Sequence, residues 1–197
     1  MDKKTKLLDK IDKYSSRAKK DIRMADNIPL EENEPYKNLI KNMFILLFYS
    51  HIEGIIKNIA QLYINFIRNE EHSKLTCHFY FLLYSNKNSA LNLFKKITGR
   101  QYKDIIDTEG NLSYDVLLKI LFIININPHK YTNFKESLNE LLEKRNNFAH
   151  GDVKIYENTI HIPDDNIKKL KNTAIDLIDV FCNDIKDCIE NDAHLLK

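Results

Sequence analysis

Residues 36–68 read YKNLIKNMFILLFYSHIEGIIKNIAQLYINFIR, and the reading of this stretch decides the fold. Ser50, Gly54, Lys57, Asn58, Gln61, Asn65 and Arg68 recur at helical spacing and gather on one side. Nearly everything else is apolar. A helix with so narrow a polar stripe belongs at the centre of a protein, with other helices around it. The rest of the chain offers those helices, because only four glycines and four prolines interrupt 197 residues. Scarce breakers favour long helices over a many-stranded sheet.

Working outward, residues 3–25 place Leu7, Leu8, Ile11, Tyr14, Ala18, Ile22 and Ala25 at spacings of three and four, which predicts an amphipathic helix. Ile28-Pro29 and the acidic run from Glu31 end it, and Pro35 suits the opening of the central helix. Residues 73–100 are ambiguous between helix and strand, with a helix favoured and a second one expected over Ala90 to Ile97, ending at Gly99. A loop follows at 107–113. Tyr114 to Ile124 reads as a short buried helix closed by Asn127-Pro128. Asn133 followed by Glu136 resembles a capping box that starts a helix over 134–149. Val153 to Ile162 alternates and predicts a small β-hairpin. The last helix, 165–190, buries Ile167, Leu170, Ala174, Leu177, Ile178, Phe181 and Ile185 on one face. The expected fold is all-α: one helical-bundle domain over residues 1–197, with a hairpin before the closing helix.

Composition narrows the function. Thirty basic and 28 acidic residues leave a net charge of +2, too little to hold nucleic acid by bulk electrostatics. A nucleic-acid substrate would need a local patch. Cys182 and Cys188 fall among apolar residues of the last helix and read as buried thiols. Cys77 and His78 lack two further ligands at local spacing, so no metal and no cofactor is expected. The charged N-terminus shows no signal peptide. The most apolar run, Met43 to Tyr49, is far short of the ~20 residues that span a bilayer. These features predict a cytoplasmic protein with no membrane partner.

The anomaly lies at 143–152, EKRNNFAHGD. The apolar stripe Phe134, Leu138, Leu141 continues at position 145, which is arginine. A guanidinium turned toward the core side is costly unless an anion meets it. Asn146 and His150 are four apart and share a face, and Gly151 suits a left-handed helix cap. Arginine grips phosphate with paired hydrogen bonds and keeps its charge, while histidine moves protons near neutral pH. Together they supply what metal-free RNA cleavage needs. A base deprotonates the ribose 2′-hydroxyl, and a cation steadies the phosphorane. Because an acid must also protonate the leaving oxygen, a symmetric dimer with two copies of the motif is expected. The bland alternative is a histidine favouring the helix dipole, with Arg145 in an ordinary salt bridge.

RNNFAHG, residues 145–151, resembles the signature of the HEPN superfamily of helical nucleases. FYSHIEGIIK, residues 48–57, is similar to a His-x-Glu-Gly-x-x-Lys segment on the long early helix of one branch of HEPN-like nucleases. The resemblance covers roughly residues 36–190, and 73–130 carries no specific motif. It implies a homodimeric, metal-independent endoribonuclease of the kind that serves as a toxin in toxin–antitoxin, restriction or anti-phage systems. A cognate antitoxin or regulatory protein is then an expected partner. Position by position, it makes Arg145 and His150 the catalytic pair and Asn146 their polar support. It gives His51, Glu53 and Lys57 a supporting or substrate-binding role. The residues alone also allow Glu53 to pair with Arg145 or Lys57, His51 to be a satisfied core histidine, and Gly54 to admit another helix at close range. A non-catalytic HEPN-like module that binds nucleotides or a partner protein remains the alternative. A third alternative is an unrelated helical scaffold whose likeness to the family is accidental.

Overall fold

The computed structural model describes residues 2–28, 34–84, 106, 108, 110–149 and 162–196. The expected helix at 90–97, Gly99, His150, Gly151, and the hairpin up to its last residue Ile162 lie outside them. Six α-helices run through the described residues: α1 (Lys3–Arg23), α2 (Glu34–Ile67), α3 (Cys77–Tyr84), α4 (Tyr114–Ile123), α5 (Lys135–Ala149) and α6 (Asp164–Glu190). They form an all-α bundle. The one β-type pairing among the described residues is an isolated antiparallel bridge between Leu75 and Leu195.

The central helix is α2, packed against α1, α5 and α6, while α1 also packs along α6. Phe48, Ile52, Ile56, Ile59 and Ile64 on α2 are fully buried. They meet Ile11 and Ile22 of α1, Leu138 and Leu141 of α5, and Leu170, Leu177, Ile178 and Phe181 of α6 in one apolar cluster. By length and composition, Tyr36–Ile67 would also pass as a membrane-crossing helix, so the estimate from the short Met43–Tyr49 run is too narrow. Half of its most apolar window is buried against the other helices, as befits the core helix of a bundle.

Helix ends follow local chemistry. Asp2 caps α1 by accepting the Thr5 N–H at 2.7 Å, and Ser113 caps α4 by accepting that of Val116. The capping box expected at Asn133 is not formed. A 3-10 turn over Pro128–Phe134 leads straight into α5, and Asn127 caps it by accepting the His129 N–H. Proline at 128 needs no donor and favours this tight start, so the cap falls six residues earlier than the sequence pattern suggested. This turn is tied to α6 by Asp184, which accepts from the Tyr131 hydroxyl at 3.0 Å and from Lys130.

Two buried polar groups frame the ends of the bundle. Lys41, on α2, has no exposed surface and donates to the Ile162 carbonyl and to Asp164, at 2.6 Å from the latter. It thereby fixes the chain where it re-enters α6. His194, just past α6, is fully buried edge-on to Tyr63 and Phe66. Its carbonyl accepts the Thr76 N–H, and Leu196 donates to the Lys74 carbonyl, so the C-terminal turn closes over the start of α3.

Candidate active site

Helix α5 delivers Arg145 to the seam with α2. Leu138 and Leu141 are fully buried, and the same stripe continues one turn later at Arg145, which is half-buried. Arg145 Nη1 donates to Asn111 Oδ1 at 3.0 Å and to Asn146 Oδ1 at 2.8 Å. Its guanidinium carbon sits 5.3 Å from the centroid of the Tyr49 ring. The cation therefore rests on an aromatic face with one edge held by two amide oxygens.

The loop before α4 completes the cradle. Gly110 takes φ 72°, a left-handed turn that a side chain would resist, and Asn111 follows it directly. The Asn111 N–H bonds back to the Thr108 carbonyl, and the buried Leu112 N–H donates to the Tyr49 hydroxyl. Tyr49 is 1% exposed. Burial first, and then the Glu53 carboxylate, push its hydroxyl up to about 12, so it stays protonated across the working range of pH. Tyr49 is thus a support for Arg145 rather than a proton carrier.

None of these partners is an anion. Among the described residues, no carboxylate reaches salt-bridge distance of Arg145. Glu53 pairs with neither Arg145 nor Lys57, so the simple ion-pair reading of Glu53 is not realised. It lies one turn along α2 from Tyr49, on the same side, and Lys57 is exposed a further turn on. Asn146 joins Arg145, as the motif implies. His150 follows directly after Ala149, the last residue of α5, but lies outside the described residues.

His51 goes elsewhere. Two residues along a helix correspond to about 200° of turn, so His51 faces away from Tyr49. It points toward α1, with Nε2 3.7 Å from Asp21 Oδ2. Burial, opposed by Asp21 and aided by Arg17, lowers its pKa below the ordinary value. The stretch 48–57 therefore divides: Glu53 serves the Arg145 side, while His51 and Gly54 serve the α1 side. Gly54 does not admit a close helix either, since a Cβ built there meets nothing within 4 Å.

Sequence reasoning missed Tyr49 and Asn111. An aromatic inside an apolar run reads as core, and an asparagine after glycine reads as a turn residue. Only the fold brings them under a cation that is distant in the chain. No group of three His, Cys, Asp or Glu side chains among the described residues is arranged to hold a metal ion.

No curated protein and no solved structure matches the chain. A family model described as RiboL-PSP-HEPN does match, over residues 5–191. That span takes in α1, which the resemblance read from the motifs alone did not reach, and runs to the end of α6. The chain belongs to the RiboL-PSP-HEPN family, within the HEPN superfamily.

Proposed function

We propose that this chain is a metal-independent endoribonuclease in which Arg145 and His150 act on one RNA phosphate. The observation that carries the reading is that Arg145 is held by neutral partners, with no carboxylate among the described residues within salt-bridge distance. The guanidinium is fixed by two amide oxygens and a ring face. A cation held in place by neutral groups suits an anion that arrives from outside.

In the reaction, a base takes the proton of the ribose 2′-hydroxyl as that oxygen attacks the adjacent phosphorus. The bond from phosphorus to the 5′-oxygen breaks, and an acid protonates the leaving oxygen. Arg145 steadies the extra negative charge of the phosphorane. Histidine suits both proton transfers, and two copies of His150 across a two-fold axis supply base and acid. The products are a 2′,3′-cyclic phosphate and a 5′-hydroxyl. Exposed Tyr36, Leu39 and Met43, at successive turns on the first part of α2, support a dimer contact. The biological setting we favour is a toxin or anti-phage nuclease in the cytoplasm, held in check by a cognate antitoxin or regulatory protein.

The test is to incubate purified protein with RNA in EDTA, identify the product ends, and measure molar mass by light scattering. Cyclic-phosphate ends from a dimer support the reading. Cleavage that vanishes in EDTA and returns with magnesium overturns the mechanism. An intact RNA bound tightly by wild-type protein favours the non-catalytic alternative.

A further inference from the structure

His194 is fully buried, and neither of its ring nitrogens has a hydrogen-bond partner among the described residues. Its neighbours offer none. The rings of Tyr63 and Phe66, on α2, meet it edge to face at 6.2 and 5.4 Å between centroids. The Thr76 hydroxyl, just before α3, is buried and unpartnered as well. Buried side-chain donors are usually satisfied, so this placement costs stability. A leucine would fill the same apolar slot without that cost.

The segment that carries His194 is held lightly. Helix α6 ends at Glu190, and the chain reverses at Asp192, which takes a left-handed φ of 52°. Such a backbone is uncommon for a residue with a side chain. The Ala193 N–H bonds back to the Cys188 carbonyl and closes the helix end. Beyond it, two backbone hydrogen bonds pin the turn to the start of α3. Thr76 N–H donates to the His194 carbonyl, and Leu196 N–H donates to the Lys74 carbonyl, around the Leu75–Leu195 bridge. Lys4 of α1 meets Asp192 at 2.6 Å, but that pair is largely exposed and adds little.

Protonation sets these two facts against each other. An imidazolium carries a charge and two donors, and in this slot no acceptor among the described residues meets them. The charged groups that act on it are Glu70 after α2, Asp192 in its own turn and Lys4 of α1. The carboxylates favour the proton and Lys4 opposes it, but burial outweighs them and holds the pKa below the ordinary value. Lifting the turn is the smallest rearrangement that wets the ring. It leaves Leu177, Ile178, Phe181 and Ile185 of α6 in the core, where each is fully buried.

We propose that residues 191–196 are an acid-released clasp: when His194 takes up a proton, this turn lifts off the start of α3 while the bundle stays folded. Lifting bares Leu75, Tyr63 and Phe66, all buried in the closed form. Phe66 lies 17 residues along α2 from Tyr49, about 25 Å at 1.5 Å per residue. The clasp therefore answers to pH without reference to the cleavage chemistry at Arg145.

Amide hydrogen exchange of the full chain at pH 7.5 and pH 5.5 tests this. Protection factors, which correct for slower intrinsic exchange in acid, are compared at Thr76 and Leu196 and at Leu177 in the core of α6. The Thr76 and Leu196 factors should lie at least about tenfold below that of Leu177 at both pH values, because the turn opens without the bundle. They should fall a further five- to tenfold or so from pH 7.5 to 5.5, as a ring that titrates near 6.5 when open and lower when closed requires. In His194→Leu the same two factors should no longer depend on pH. Should that variant fail to fold, the imidazole resonance of His194 in the wild-type chain gives a second reading, and its titration midpoint should lie below 6.5. The proposal is overturned if Thr76 and Leu196 exchange only as slowly as Leu177, if their protection is the same at both pH values, if a folded His194→Leu protein keeps the pH dependence, or if the imidazole titrates at or above its ordinary value.

Discussion

Arg145 and Tyr49 meet as cation and ring, 5.3 Å apart, across the seam between α5 and α2. Each also has a tie to the loop before α4, Arg145 through Asn111 and Tyr49 through the Leu112 N–H. Three separate segments thus fix one guanidinium. Removing the cation should leave the bundle standing, since its contacts are peripheral to the core. We expect Arg145→Ala to abolish RNA cleavage, with stability changed by no more than about 1–2 kcal/mol. Arg145→Lys should recover little activity, because an ammonium cannot span Asn111 and a phosphate with the same planar fork. Cleavage rates beside urea unfolding curves decide both points. Full cleavage by a folded Arg145→Ala protein would remove Arg145 from the mechanism.

Tyr49→Phe separates the ring from its hydroxyl. The cation keeps its platform, but the buried Leu112 N–H loses its acceptor. That should cost about 1–3 kcal/mol of stability. The loop carrying Asn111 should loosen, so cleavage should fall without disappearing. Tyr49→Leu, which also removes the ring face, should cut deeper. Unfolding midpoints and single-turnover rates of the two variants, compared side by side, check the order.

Lys41→Met tests the buried tie at the start of α6. The Ile162 carbonyl would be left without its lysine donor, at a cost of about 1–3 kcal/mol. Replacing Asp164 with asparagine should cost less, because that side chain is half exposed. Thermal melts of both variants would reveal a reversed order, which would contradict the assignment of Lys41 as the principal tie.

Stability should fall on mild acidification. The pKa of His194 is lowered from 6.5 chiefly by burial, against the raising influence of Glu70 and Asp192, with Lys4 pushing the same way as burial. His51 is shifted in the same direction. Both histidines bind protons more readily when the chain is unfolded. Their contribution is therefore complete above pH 6.5 and is lost as pH falls from there toward the depressed folded values. Melting temperatures between pH 7.5 and 5.5 should drop, and His194→Leu should flatten that slope. An unchanged slope in the variant would show that other groups carry the effect.

Much of the bundle was legible because burial imposes a period. The spacing of Leu7, Ile11, Ala18 and Ile22 gave α1, and that of Ile167, Leu170, Leu177 and Ile178 gave α6, each within two residues of its observed ends. Where a period was short or absent, the reading was less decisive, although the helix favoured there is the one observed over Cys77–Tyr84. CHFYFLLY is apolar all round, and its helical state is confirmed only by the structure. His194 went unremarked because a polar residue in a terminal turn carries no pattern; its burial comes from the turn folding back on Tyr63 and Phe66. Arg145 stood out because a charge broke an apolar stripe. Tyr49 and Asn111 did not, because neither breaks anything in the chain and their meaning lies in a contact between distant segments. The stretch 48–57 reads as one motif with His51 and Glu53 on different stripes, and the structure adds what they face: Asp21 of α1 for His51 and the side of Tyr49 for Glu53.

That division gives α2 the character of a ruler. Tyr49 and His51 are adjacent in register but sit on opposite sides of a rod whose diameter with side chains is about 10–12 Å. Backbone hydrogen bonding inside the helix fixes this interval, and no loop contributes to it. An insertion or deletion in a connecting segment therefore leaves the interval between Tyr49 and His51 unchanged. Only a change in the helical phase of α2 itself, by an added or lost residue between positions 49 and 51, would reset it.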